Sequence, residues 1–484
     1  MTPPDHMDES RSRTYTGQLN SAPLTGRAEF FAAEDALEIN AGGQTVRLPY
    51  SSVQSLSHEN FTVCAETDDG VFEFSRLGAE EDWFYDEFLK ALNLKVQTSF
   101  FETGAPLIEA ETRCLLADET GQSGGRAVVR VFDESLLVLT PDRNARRLPL
   151  VFLKTIQKES YSVRITFNSG ENLTLFEAGF DLTPLLDTLD ATLNRLAKNR
   201  AADLKTLLPS LPSSDVARLT SAYRMNTAIP VSEIPAALEE AMRSRFTGNL
   251  AVTYPRLKAL GDSSMLALGF AAVAEGDVPY SGATADDGES TGLENTANPE
   301  LSAYSTPAAG SSDASSPFIY WAVLPSEDHK YAALELCLPE EAAAATYIFR
   351  IGGTFEDFLL LFNRAFEACR FRREFLTFTD AELLEEAAGS YKILIDRTPS
   401  LQRLRSLTAG RIIHSSPDAW EQKLRKAFTG NSGNSGKAGN SGNGEDLTRA
   451  AVSAPPPAPT RFCPSCGCRI SSSVRFCTEC GKKL

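Results

Sequence analysis

The sequence predicts an α+β chain of several domains: two tandem strand-rich units that each end in a helix, a third α+β domain, two linkers and a small cysteine module. Three observations lead there. Residues 14–98 and 109–198 repeat one another. Within each copy the hydrophobic period changes from two to helical spacing near the end. Four cysteines in two close pairs gather within residues 461–484.

The duplication is legible residue by residue. Arg47-Leu48-Pro49 recurs as Arg147-Leu148-Pro149, and Gly26-Arg27-Ala28 answers Gly125-Arg126-Ala127. Val53, Leu56, Phe61, Val63 and Gly70 match Leu153, Ile156, Tyr161, Val163 and Gly170. After one inserted residue, Phe72 and Phe74 match Leu173 and Leu175, and Leu92-Asn93 matches Leu193-Asn194. In the first copy, Glu29–Ala33, Ala36–Asn40, Thr45–Leu48, Val53–Ser57, Phe61–Glu66 and Val71–Ser75 alternate apolar and polar residues between turn signals, the pattern of half-buried antiparallel strands. Trp83, Phe84, Phe88, Ala91 and Leu92 then fall on one helical face, as do Leu182, Leu185, Leu186, Leu189 and Leu193 in the second copy.

Six or seven strands followed by one amphipathic helix resembles the pleckstrin-homology-like superfold. The resemblance implies tandem bent, barrel-like sheets, each plugged by its helix, and binding of phosphoinositides, peptides or proteins rather than catalysis. Lipid headgroups require a basic cluster near the first strands. The Gly17–Gly26 loop has no Lys or Arg, and the first copy carries roughly nine net negative charges. The second copy offers Arg143, Arg146 and Arg147 in a hairpin loop, which reads either as a solvated turn or as an anionic-membrane contact.

Residues 199–245 read as a helical connector punctuated by Pro209, Pro212, Pro230 and Pro235, with helices at Asp203–Leu208, Ser214–Tyr223 and Ser232–Arg245. The third domain, residues 246–428, has strand-like runs at Met265–Val273, Phe318–Leu324, Tyr331–Leu338 and Thr346–Ile351, then a strong amphipathic helix from Phe355 to Phe371. Strands followed by a helix repeat the order of the first two copies, without residue-level register. Further helices are expected at Asp380–Leu394, Thr398–Thr408 and Ser416–Phe428. Residues 275–316 are Ser-, Gly-, Ala-, Thr-, Asp- and Glu-rich and predict a disordered insertion. Residues 429–460 predict a flexible linker of Gly-Asn-Ser-Gly repeats stiffened by Ala-Pro-Pro-Pro-Ala-Pro, reaching about 30 Å.

At the end, Cys463-Pro-Ser-Cys466-Gly and Cys477-Thr-Glu-Cys480-Gly hold two Cys-x-x-Cys turns. Each turn wraps one metal ion, and two complete a tetrahedron of thiolates, so the expected ligands of one structural Zn²⁺ are Cys463, Cys466, Cys477 and Cys480. A redox dithiol would need a βαβ context that so short a segment cannot supply. Cys468 sits one residue beyond the first turn and reads as a spare thiol. The segment resembles the zinc-ribbon modules at the ends of many bacterial proteins, which implies a closed site with no position for substrate.

The 484 residues carry a formal net charge of −17, which disfavours wrapping nucleic acid. The ribbon alone is locally basic, through Arg461, Arg469, Arg475, Lys482 and Lys483. No apolar run reaches a membrane span, and the first residues lack a signal core, so a soluble cytoplasmic protein is expected. Catalytic signals are thin. Of the histidines, His6 lies in a polar terminus, His58 ends a strand and His414 sits in a polar loop. His329 follows Ser326-Glu327-Asp328, but sequence neighbours on a turn do not make a triad. Gly261-Asp-Ser-Ser264 lacks a nucleophile elbow's glycine pattern. The reading is a non-catalytic cytoplasmic adaptor or scaffold that binds protein partners. The alternatives are a nucleic-acid-associated factor using the ribbon, and a peripheral membrane binder using the second repeat.

Overall fold

A computed structural model describes residues 13–22, 24–222, 226–246, 248–272, 318–337, 345–414, 416–429, 461–462 and 469–470. The chain divides into two compact units, residues 1–431 and 432–484.

Strands β1 (Thr14–Asn20), β2 (Thr25–Ala32), β3 (Ala36–Ala41), β4 (Gln44–Pro49), β5 (Val53–Glu59), β6 (Thr62–Thr67) and β7 (Gly70–Ser75) form one antiparallel sheet in the order 4-3-2-1-7-6-5. Helix α1 (Glu81–Ser99) follows. Strands β8 (Ile108–Asp118), β9 (Gly121–Val131), β10 (Ser135–Leu139), β11 (Arg146–Pro149), β12 (Leu153–Lys158), β13 (Ser162–Phe167) and β14 (Asn172–Phe176) repeat the topology as 11-10-9-8-14-13-12, followed by α2 (Leu182–Leu207). Tandem seven-stranded sheets of this kind are compatible with barrel-like repeats.

Register confirms the sequence match. Leu19 opposes Gly26 and Phe74, as Cys114 opposes Gly125 and Leu175. β5 and β12 carry the same irregularity, between Val53 and Ser55 and between Leu153 and Thr155. Glu66 opposes Val71 where Thr166 opposes Asn172, so the inserted residue is Glu171, in the β13–β14 turn. The alternation of apolar residues along each strand puts one set inside, and α1 adds Phe84, Phe88, Leu92 and Val96 at helical spacing. Phe84 lies 5.4 Å from Phe30 and 5.3 Å from Phe74, centroid to centroid. Burying each such ring contributes about 1.5–3 kcal/mol, which is what holds the helix on the sheet.

The third sheet is different. Strands β15 (Ile229–Pro230), β16 (Ala267–Ala272), β17 (Phe318–Pro325), β18 (Tyr331–Cys337), β19 (Ala345–Arg350) and β20 (Thr408–Ile413) lie side by side in chain order. That meander is not a third copy of the repeat. Every residue of β17 is buried, because helices cover both faces. Ile319, Trp321 and Val323 share a core with Phe362 and Phe366 of α6 (Phe355–Ala368). Phe318, Tyr320 and Leu324 pack with Tyr254 of α5 (Gly248–Leu257) and Trp420 of α9 (Pro417–Phe428). Gly269 is required opposite Trp321, since a Cβ there would stand 2.2 Å from the indole. Helices α3 (Ser213–Ala222), α4 (Ala236–Arg243), α7 (Gly389–Asp396) and α8 (Pro399–Leu407) complete this half.

Three departures from the sequence reading have local causes. α2 runs on to Leu207 rather than ending near 198, because Leu204 and Leu207 fall on one face and are buried in the third domain's core. The expected 380–394 helix is broken at Glu385, whose extended backbone separates two short 3-10 turns, the second of which leads straight into α7. β20 was not predicted. Its Thr-Ala-Gly-Arg-Ile-Ile run lacks alternation, and pairing with β19 forms it. The expected insertion 275–316 and, beyond Thr429, the linker to residue 460 lie outside the described residues.

Candidate functional site

The basic loop of the second repeat is where structure and expectation part most sharply. Arg147 is neither solvated nor free for a membrane: its side chain is 1 % exposed. Its Nε donates to Glu102 Oε1 at 2.5 Å, and its Nη1 donates to both oxygens of Glu367 at 2.8 and 2.9 Å. Glu102 follows α1 and Glu367 lies on α6, so one guanidinium ties both repeats to the third domain. Ser135 also donates to Glu102, and Arg370 pairs with Glu134 and lies 3.8 Å from Glu102. Burial alone would raise the Glu102 carboxyl, but the Arg147 and Arg370 guanidinium groups outweigh it and hold the carboxyl below its ordinary value. Arg146 is buried against Asp118 at 3.0 Å, while Arg143 stays exposed and reaches Asp68 of the first repeat at 3.2 Å.

A second buried pair lies beside it. Arg364 of α6 donates to Glu171 at 2.6 Å and to the Arg147 carbonyl at 2.7 Å. Burial again opposes ionisation of Glu171, and Arg364 again reverses the balance. These groups flank a cleft of about 470 Å³ between the second repeat and the third domain. Its three arginines are each matched: Arg146 with Asp118, Arg364 with Glu171, and Arg403 with Glu119 at 3.2 Å. Charges so paired hold the two surfaces together.

The repeats themselves carry a groove, bounded by the 3-10 turn before the fifth strand and by the C-terminal half of the helix. In the first repeat, the turn Tyr50–Ser52 and α1 are covered by α7 of the same chain. Lys392 of α7 donates to the Ser51 carbonyl at 2.9 Å and pairs with Asp68 at 2.6 Å. Tyr391 meets Phe101 edge-on at 6.2 Å, and Ile393, Leu394 and Ile395 join the repeat's core. Arg397, just past α7, is buried and reaches towards the Val53 carbonyl at 3.5 Å; burial pulls its guanidinium down to about 10.

In the second repeat the equivalent turn, Leu150–Phe152, and α2 border an open cavity of about 730 Å³, with Ala217 and Thr220 of α3 as its far wall. The loop tips also match: Phe61 is 84 % exposed at the β5–β6 turn and Tyr161 is 90 % exposed at the β12–β13 turn.

The catalytic candidates do not assemble. Ser326 Oγ donates to Asp328 at 2.8 Å, whereas His329 turns to Asp262, also at 2.8 Å, so no histidine stands between serine and acid. Ser264 donates to the same Asp262 at 2.5 Å. His58 contacts Glu81 at 2.5 Å, at the start of α1. His414 is not in an open polar loop as expected. Its Nε2 lies 2.9 Å from Glu335 and 3.0 Å from Thr346 Oγ1, and Thr346 accepts from Trp420 Nε1 at 2.7 Å. With Glu335 and Thr346 wholly buried, this network fastens α9 to the sheet.

Cys64 and Cys114 are free thiols, and burial pushes Cys114 up to about 11; Cys369 donates to the Phe366 and Arg372 carbonyls. Among the described residues no cluster of His, Cys, Asp and Glu is arranged to hold a metal, and no helix is long and apolar enough to cross a membrane. Cys463, Cys466, Cys477 and Cys480 lie outside the described residues. In that second unit, Arg461–Phe462 pairs antiparallel with Arg469–Ile470, on either side of the first Cys-x-x-Cys in sequence. No protein-family model matches the chain, and no curated protein matches it.

Proposed function

We propose that this chain is a non-catalytic cytoplasmic adaptor or scaffold whose tandem sheets are pleckstrin-homology-like domains that bind polypeptide. The observation that carries the reading is the first repeat's grip on α7. A groove between the turn and the helix is used there to hold a short helix through apolar contacts and a lysine on a backbone carbonyl. The exposed Phe61 and Tyr161 tips add aromatic contact points of the type enriched at interfaces. Of the three arginines that the membrane alternative calls on, Arg146 and Arg147 are buried and paired and Arg143 alone stays exposed, which favours the polypeptide reading.

A structural zinc ribbon would complete the chain. Antiparallel pairing around the first Cys-x-x-Cys suits a metal-binding turn at Cys463 and Cys466. Cys477 and Cys480 would supply the other two thiolates. Metal analysis of protein purified under reducing conditions should find about one zinc per chain, and Cys463→Ser should abolish it. A metal content far below one overturns the ribbon.

The adaptor reading is tested by affinity purification of the full chain and of a form ending at Phe428. Recovery of the same partner protein by both supports it. Recovery of the chain alone refutes it, and recovery only by the full chain moves partner binding to residues 429–484.

A further inference from the structure

The duplication supplies its own control for the groove. Val53, Leu92, Val96 and Phe100 of the first repeat are buried in one core, which also takes in Ile393, Leu394 and Ile395 of α7. Their counterparts in the second repeat are Leu153, Leu193, Ala197 and Ala201, of which Ala197 is exposed and the other three are only half-buried. Leu153, Leu193, Ala197 and Ala201 all line the 730 Å³ cavity. The same surface is therefore covered in one copy and uncovered in the other. Val96 and Phe100 have become alanines, so the second groove is also wider than the first.

Its polar surroundings have changed sign. Lys392 of α7 is received by Asp68 in the first repeat, and the equivalent position in the second is Asn168. Gln97 and Ser99 are replaced by Lys198 and Arg200, both on the cavity wall. An occupant with a basic flank suits the first groove; an acidic flank suits the second.

Resting on the reading that these repeats bind polypeptide, we infer that the second repeat's groove between the Leu150–Phe152 turn and α2 receives an amphipathic helix from a partner protein. That helix has large apolar side chains towards Leu153, Leu193 and Ala197, and carboxylates towards Lys198. Helix-in-groove recognition of this kind reads apolar residues at i, i+3, i+4 and i+7. Bulky anchors fit because Ala197 and Ala201 leave the floor open.

The test uses the full chain and three fluorescein-labelled sixteen-residue peptides in anisotropy titrations. One carries leucines at i, i+3, i+4 and i+7 with glutamates on the opposite face. The second replaces every glutamate by lysine, and the third scrambles the first. The first peptide should bind at least tenfold more tightly than either of the others. Ala197→Arg, an exposed helix position whose new side chain fills the groove, should weaken the first peptide at least tenfold while leaving the thermal transition in place. Lys198→Glu should narrow the gap between the acidic and basic peptides. Equal binding of all three peptides, or indifference to Ala197→Arg, overturns the inference. So does a dimer in light scattering that Ala197→Arg dissociates, because the occupant is then a second copy. If the peptides fail but a captured partner remains insensitive to Ala197→Arg, the groove is wrong and the adaptor reading stands. If no partner is captured at all, the adaptor reading itself falls.

Discussion

Arg47 and Arg147 occupy the same place in two copies of one domain, yet they live in different physical worlds. Arg47 has a side chain 47 % exposed and pairs with Glu386, itself exposed. Arg147 is buried between two carboxylates from two other parts of the chain. An exposed pair of the first kind is worth about 0–1 kcal/mol. Breaking a buried one by removing a single partner costs about 3–5 kcal/mol, because a desolvated charge is left behind. The first repeat holds α7 and shares one hydrophobic core with the third domain, whereas the second keeps a core of its own and meets that domain through buried ion pairs. Fold was copied; surface role was not.

The largest test of that contrast is Glu367→Ala. It leaves the Arg147 charge buried with one partner fewer and should cost about 3–5 kcal/mol in denaturant unfolding. A loss under 1 kcal/mol would mean that the junction is not a weld. Next, Ile393→Ala should cost about 2–5 kcal/mol, since that side chain is buried among residues of the first repeat's core. Ala197→Arg on the equivalent face of the second repeat should stay within about 0.5 kcal/mol. Comparable costs at the two sites would remove the distinction between a filled and an open groove.

Acid gives an intermediate effect with a definite sign. Glu102 and Glu171 titrate below their ordinary value of 4.5 in the folded chain. The stability they contribute is therefore complete above about pH 4.5 and is lost as pH falls through their lower folded values. Unfolding free energies measured from pH 6 to pH 3 should fall in wild type and fall less steeply in Glu171→Gln. Parallel slopes would show that the junction carboxyls are not the groups that titrate. The smallest expected effect is Arg47→Ala, within about 0.5 kcal/mol by the same unfolding assay. A larger loss would bring the two arginines closer together than their burial implies.

The sequence made the duplication readable to the residue, because strand register and one-face burial constrain apolar positions in both copies alike. The inserted residue was visible as a drift of one; its use was not. Glu171 matters because Arg364 stands opposite it, and nothing local announces a partner 193 residues away. Arg147 was misread for the same reason: a tripeptide identical to Arg47-Leu48-Pro49 cannot reveal which copy will be buried. His414 looked like a loop residue until β20 brought it beside Glu335 and Thr346. The meander of the third domain was visible in its strand runs, while β20 needed β19 as a template. The four ribbon cysteines remain an inference from spacing.

The distance along the chain between the first repeat and α7 also sets a schedule. The synthesis of Tyr50–Ser52 and α1 is complete some 290 residues before Gly389 is made. At ordinary elongation rates that interval lasts roughly 15–60 s. Throughout it, the first repeat has its strands and its helix but an unfilled groove. Newborn chains thus pass through a stage in which neither copy holds α7, and completion of the third domain fills the first groove alone.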